Sequence, residues 1–230
     1  MESGVPLDQP LEAFSGFAPV FPLPSLTLFP ETQAVFHIFE PRYREMLASV
    51  MNGEKLIAFA LLRPGYEEEY YGNPAIYEMG CLGRILSEEK QENGESRIIV
   101  EGLARVGLGE LVKELPFRVA KVKILPEKDR HVEFEDLHHT LIQKLTYLAK
   151  ISEERINLNY LFDPGTKFVT LVNMIAKHLP LKPRDHYNLL REDSIQTRAE
   201  RVIWHLDDHI ETMELLKQAG PLLPNPQFFN

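Results

Sequence analysis

Cysteine is almost missing from this chain: Cys81 stands alone. No intrachain disulfide can form, which suits a reducing compartment. Apolar runs are short, and none reaches the ~18 residues a membrane-crossing helix needs. The opening MESGVPLDQPLEAF carries Glu2 and no basic start before an apolar run, so a secretory leader is not expected. Positive charge is in deficit, with 25 Lys and Arg against 34 Asp and Glu, a net charge of −9. That balance argues against nucleic acid, which is held by clustered cations, and against an anionic membrane surface. The glycines never fall as Gly-x-x-x-x-Gly-Lys, so no phosphate-cradling loop is written here. Gly165-Thr166-Lys167 has the residues in the wrong order and opens a helix instead. A cytoplasmic location is the resulting expectation. The 44% hydrophobic and 26% charged residues are ordinary globular values, enough for one large domain or two small ones.

The densest local signals lie in FPLPSLTLFPETQAVFHIFEPRY, residues 21–43. Leu26 and Leu28 are the apolar members of a predicted short strand. Pro30 breaks it, having no amide proton for a ladder. Val35, Phe36, Ile38 and Phe39 form a second apolar run. Glu40-Pro41 opens a helix, since proline is preorganised for the first helical position. Tyr43, Met46, Leu47 and Val50 then recur at the spacing of one buried helix face. Asn52-Gly53 ends the helix, with Gly53 expected in the left-handed C-terminal conformation.

Residues 1–18 are polar, interrupted by proline and expected to be poorly fixed. Phe14, Phe17 and Phe21 are expected to cover an exposed edge or pocket of the first domain rather than to meet a partner chain. Leu56 to Leu62 is a continuous apolar run, the mark of a strand buried on both faces. Further strands are predicted over Cys81–Leu86 and Arg97–Val100, joined by a turn at Asn93-Gly94. Gly102, Gly107 and Gly109 suggest bends or bulges. Pro116 introduces a last strand in which Ala120, Val122 and Ile124 alternate with Lys121 and Lys123. Six strands with one inserted helix are best protected at their edges by a half-closed barrel.

From about residue 128 the period becomes helical. Leu137, Leu141, Leu145 and Leu148 mark one helix. Asp163-Pro164 starts a second, with Phe168, Leu171, Val172, Ile175 and Leu179 inward. A short third bears Tyr187 and Leu190. Asp193 with Gln196 reads as a capping box for a fourth, whose buried face holds Ile195, Ala199, Val202, Leu206, Ile210 and Met213. Gly220 closes it, and the proline-rich tail cannot continue it.

Three blocks now stand in order. They are Phe21-Pro22-Leu23 with Leu28-Phe29-Pro30 and Ile38-Phe39-Glu40-Pro41-Arg42-Tyr43; then Gly80-Cys81-Leu82-Gly83-Arg84-Ile85; then Val100-Glu101-Gly102-Leu103-Ala104-Arg105-Val106. Together they resemble the N-terminal, substrate-binding domain of Lon proteases, over roughly residues 18 to 218. The stretch from Met174 to Leu206 resembles that domain's helical half. Ser25 and Glu31 depart from it, standing where the family often has glycine. The resemblance implies an α+β fold: a six-stranded PUA-like β pseudo-barrel with one inserted helix, followed by an all-α C-terminal four-helix half. The division expected is a flexible segment 1–18, a barrel subdomain 19–126, a helical subdomain 127–220 and a tail 221–230. The family's protease domain, with its Ser-Lys pair, has no counterpart in these residues.

Chemistry-bearing residues are sparse. His205 and His209 have the i, i+4 spacing of a metal pair, but Leu206 stands where a zincin has its glutamate. A solvated helix face is the expectation there and for His131, His138 and His139. Cys81, in a strand, reads as a small hydrophobe, since a nucleophile would need a base and an orienting group. Glu67-Glu68-Glu69-Tyr70-Tyr71 reads as a solvated acidic loop or as a rim selecting basic or aromatic segments. The resemblance points to Phe39, Glu40, Arg42, Tyr43 and Arg105 as lining a peptide-recognition cleft. The plainer reading has Glu40 capping the helix and the arginines pairing with carboxylates to hold the barrel together.

The sequence is thus read as a non-enzymatic module that binds unfolded or extended protein segments, with no cofactor, no metal and no catalytic residue. The expected place is a groove between barrel and helices, where apolar side chains meet a strand edge and a peptide can add through its main chain. A small-molecule or nucleotide site in a PUA-like domain is the alternative. A hydrolase assembled from scattered His, Cys or Asp is a third, weaker reading.

Overall fold

A computed structural model describes residue 11 and residues 14–70, 72–152 and 165–219. The chain divides into two compact units: residues 1–128 with 181–193, and residues 129–180 with 194–230. Most of the expected segment 1–18, the helix start at Asp163-Pro164, Tyr71, the Gly220 terminator and the tail 221–230 lie outside the described residues.

The first unit holds six strands: β1 Phe17–Leu23, β2 Gln33–Ile38, β3 Leu56–Leu62, β4 Ile76–Lys90, β5 Ser96–Lys113 and β6 Val119–Ile124. Helix α1, Pro41–Met51, follows β2. The strand order is β2-β5-β4-β3-β1-β6, and β5 pairs with β6 as well. Five strands therefore close a ring and β2 hangs on its outside edge. The long β5 makes this possible: its first part pairs with β2 and β4, its last part with β6. Register shifts between Leu82 and Gly83 and between Leu108 and Leu111 bend the ladder. At Gly102 a Cβ would lie 2.2 Å from the Phe29 carbonyl oxygen, so only glycine lets β5 pass that loop.

The first strand differs from expectation. Leu26 and Leu28 lie in coil, and the strand is Phe17–Leu23 instead. Pro19 and Pro22 argue against a central strand, but each sits where its missing amide is not needed. Val20 donates to the Arg118 carbonyl, so even-numbered residues face β6 and odd-numbered ones face β3. Pairing with β6 covers residues 17–19 and pairing with β3 covers residues 20–23. Pro19 thus faces β3 before that ladder begins, and Pro22 faces β6 after that ladder has ended. Of the three early phenylalanines, Phe21 is core, Phe14 packs on the core's second cluster and Phe17 is half exposed.

The strand β3 is buried on both faces, as its unbroken apolar run implies. Ile57 and Phe59 enter a cluster with Phe21, Phe36, Ile38, Ile98 and Val100. Leu56, Ala58 and Ala60 enter another with Val20, Leu82, Leu103 and Ala120. Helix α1 plugs the first cluster with Tyr43, Met46, Leu47 and Val50, all buried. Each such side chain contributes about 1.5–3 kcal/mol. The helix ends at Asn52 in a right-handed conformation, and the left-handed residue is Lys55 rather than Gly53. The tip between β4 and β5 turns at residues 91–95. Gly94 takes positive φ there, and the Asn93 side chain accepts from the Glu95 amide. Both strands run well past the segments predicted, because glycine bends them without ending them.

Helix α2 is Glu135–Ile151, α3 Phe168–His178, α4 Pro183–Arg191 and α5 Ile195–Ala219. The apolar spacings read from sequence mark the buried face of each helix, except that Leu137, Ile210 and Met213 are only partly buried and Val169, Ala176 and Leu189 are buried besides. Helix α4 belongs with the sheet unit, a difference from a single cut at residue 126. It is seated there by Tyr187, whose ring stacks on Tyr77 at 4.2 Å, and by Arg105 below. Within the second unit, the cap of α5 is Ser194, not Asp193. The Ser194 hydroxyl accepts the Thr197 amide at 3.2 Å, while Asp193 pairs with Lys128 in the sheet unit. The helix starts one residue later than predicted, so the reach of three falls to Ser194.

Candidate functional site

The residues singled out by sequence fall at the junction of β2 and α1, with Arg105 elsewhere in the sheet unit. Along β2 the side chains alternate. Ala34, Phe36 and Ile38 point into the core, while Gln33, Val35 and His37 are exposed. Phe39 continues the outward set at 53% exposure, beside Val35 at 51%. The His37 ring lies 5.8 Å from that of Phe39 and meets the Glu95 carboxylate at 2.7 Å. Two large apolar side chains thus sit on the parity of the polar ones.

Glu40 precedes α1 in extended conformation, with Pro41 at the helix start. Its carbonyl accepts the Tyr43 and Arg44 amides. Its carboxylate makes no cap, contrary to the plainer sequence reading. Arg42 takes it instead, through Nε at 3.0 Å and Nη2 at 2.9 Å, and the Tyr70 hydroxyl donates to it at 3.2 Å. The adjacent guanidinium outcompetes weakly acidic amides for a carboxylate. Arg42 also donates to the Tyr70 and Gly72 carbonyls. The acidic loop around the Tyr66–Glu69 turn is thereby tied to the start of α1.

Tyr43 lies beneath, buried against Phe21 at 4.6 Å, with the Arg42 guanidinium 4.7 Å from its ring. Burial pushes its phenol up to about 12, and Arg42 opposes that in part. Arg118 is a residue the sequence reading passed over. Buried itself, it donates to the Asn73 side chain and the Pro74 carbonyl, and burial lowers its pKa.

Arg105 is 2% exposed and does not join the surface group. It donates to the carbonyls of Leu190 at 3.1 Å, Arg191 at 3.0 Å and Pro126 at 2.8 Å, with Glu127 3.5 Å away. Leu190 and Arg191 are the last residues of α4, so the guanidinium sits where a helix leaves its carbonyls unsatisfied. Phe39, Glu40, Arg42 and Tyr43 come together; Arg105 holds the fold.

Other candidates have plain positions. Cys81 is fully buried in the core. His205 lies edge-on to Trp204 at 4.7 Å. Among the described residues, no group of three His, Cys, Asp or Glu is placed to hold a metal ion, and no helix is long and apolar enough to cross a membrane. The second unit has a surface hollow of about 920 Å³ lined by Glu133, Glu135, Asp136, His138, His139 and Lys167. Its three carboxylates repel phosphate, so it lends nothing to a nucleotide reading.

A closed five-strand ring with a helical plug and an added edge strand, followed by helices, makes this an α+β protein. The pattern of the ATP-dependent protease La (LON) substrate-binding domain matches residues 18–208, and the chain belongs to that family. It is 29% identical to the Lon protease of Brevibacillus choshinensis over 208 residues, covering 88% of this chain and 26% of that protein. It is 24% identical to Lon protease 1 of Bacillus subtilis over the same length, with the same coverages. The chain thus spans about a quarter of the length of these relatives. The Lon N-terminal domain protein from Xanthomonas campestris superimposes with a TM-score of 0.62 at 22% identity, covering 81% of this chain and 96% of that one. The N-terminal domain of Mycobacterium avium complex Lon protease does so with a TM-score of 0.64 at 14% identity, covering 84% and 99%. These structures share its fold.

Proposed function

We infer that this chain is a non-enzymatic recognition module that holds extended or unfolded protein segments on its sheet unit, around the junction of β2 and α1. Membership of a substrate-binding-domain family supports the class of partner. The observation that carries the location is the pair Val35 and Phe39, each about half exposed on the outward parity of β2. In this reading Phe39 and Val35 are the apolar anchors. Glu40 and Arg42, locked to each other and to Tyr70, are a rigid polar rim, and Tyr43 is the floor that keeps the rim in place. Arg105 contributes by holding the unit together.

Flexible segments spend ordering entropy on binding, so affinity of micromolar order, tolerant of sequence, is expected. Anisotropy titration with an apolar, unfolded peptide tests this. Phe39→Ala should weaken binding about tenfold, ~1.4 kcal/mol. Absence of binding at near-millimolar protein, or an unchanged affinity in both Phe39→Ala and Val35→Ser, would end the reading.

A further inference from the structure

The geometry points to the outer edge of β2 as a rail on which an extended, apolar and basic peptide adds as a seventh strand. This rests on the recognition reading above and states how the segment is held.

The argument begins with hydrogen-bond parity. Gly102 donates to the Thr32 carbonyl at 2.8 Å, and the antiparallel register then runs Ala34 with Val100, Phe36 with Ile98 and Ile38 with Ser96. Even-numbered residues of β2 therefore exchange bonds with β5. The amides and carbonyls of Val35 and His37 point the other way, to the side where no described strand pairs. Those same residues carry the exposed side chains. An incoming strand would find main-chain partners at Val35 and His37, and the outward side chains of Val35 and Phe39 beside its own.

Natural sheets blunt such edges with lysine, proline or a bulge. QAVFHI has none of these, and its ladder to β5 is unbroken. Charge selects the visitor. The hairpin tip beside the end of β2 carries Glu88, Glu89, Glu92 and Glu95 against Lys90 and Arg97, and the chain as a whole carries −9. Like charge repels acidic segments and attracts basic ones. The same charge disfavours a second copy of the chain. Two six-residue edges also bury far less than the roughly 1,600 Å² of a standard interface. A basic unfolded segment escapes the charge penalty, and the small area it buries fits the micromolar affinity expected above.

The test uses the intact chain and a labelled apolar peptide of about ten residues with two lysines and no acid, scanned by N-methylation of its backbone. N-methyl groups leave side chains alone and remove one amide each. Strand addition predicts losses of about tenfold or more at every second position and little change between them. On the protein, Val35→Pro removes an outward amide and leaves the ladder to β5 intact, so the variant should fold with an unchanged urea midpoint and bind at least about tenfold more weakly. Replacing the peptide's lysines by glutamates should also weaken it. If Val35→Pro does not fold, the peptide scan decides alone. Binding that persists without a two-residue rhythm would overturn the edge while leaving the recognition reading standing. Failure of the unmethylated peptide to bind would remove both. A concentration-dependent dimer abolished by Val35→Pro, with peptide affinity unchanged, would assign the edge to a second copy and also overturn the proposal.

Discussion

The sheet unit and the helical unit each bury an arginine, and the surroundings of the two differ. In the sheet unit Arg105 donates to three main-chain carbonyls, at the end of α4 and at Pro126, with the buried Glu127 carboxylate 3.5 Å from its Nε. In the helical unit Arg198, 0% exposed, donates to the side-chain oxygen of Asn173, also 0% exposed. The difference follows from the backbone. Helices satisfy their interior carbonyls themselves, so a side-chain oxygen such as that of Asn173 is what a helix interior offers a buried cation. A barrel closed by loops and by a short helix leaves carbonyls over, and a guanidinium with five donors collects them. Side-chain partners can be redesigned together; main-chain partners cannot.

That contrast can be broken directly. Arg105→Met should cost about 3–5 kcal/mol in urea unfolding, since three carbonyls lose their donor at once and the buried Glu127 carboxylate loses the cation beside it. Lysine at that position should recover only part, having no planar fork. In the helical unit, Arg198→Leu alone should also destabilise. Adding Asn173→Leu should recover part of that loss, because the amide oxygen no longer lacks its donor. If no second substitution is needed there, or if one rescues Arg105→Met, the contrast fails.

A pH series sharpens it on the sheet side. Burial raises the Tyr43 phenol to about 12, above its value of 10.0 in an exposed tyrosine. The unfolded chain releases that proton first. The stabilising contribution is therefore complete below pH 10.0 and is lost as pH rises through about 12. Urea midpoints measured from pH 8 to about 12 should fall more steeply in the parent than in Tyr43→Phe. Equal slopes would show that Tyr43 titrates as if in water.

The smallest effect is expected at Glu31, which adopts φ of 59°, in the left-handed region that favours glycine. Its amide donates to the Gly102 carbonyl, so the turn is fixed by the sheet rather than by the residue's own preference. Glu31→Gly should raise stability by up to about 1 kcal/mol. A thermal melt that moves down instead would show that the glutamate side chain contributes more than the strain removes.

Legibility in the sequence followed the range of the interaction responsible. Helix α1 was readable residue by residue, because its four buried side chains repeat within one helix face. The apolar run of β3 and the turn at Gly94 were readable for the same local reason. The start of the sheet was not, since two prolines concealed β1 until its neighbours were known. Arg105 could be seen as a charge in a family block, but its carbonyl partners at Leu190 and Arg191 lie 85 and 86 residues away. The edge position of β2 is a matter of strand order, which no local pattern encodes. Its outward parity was also missed, since Val35, Phe36, Ile38 and Phe39 read as one apolar run and only the fold sets Val35 with Gln33 and His37.

The prolines of β1 carry one more consequence. Slide that strand by a single residue against its neighbours, and each ring nitrogen meets a carbonyl it cannot answer, while Val20 and Phe21 trade the apolar clusters they were sized for. Pro19 and Pro22 therefore act as keys cut for one alignment. They add little holding energy to the finished barrel, and they make its misassembled versions hard to close.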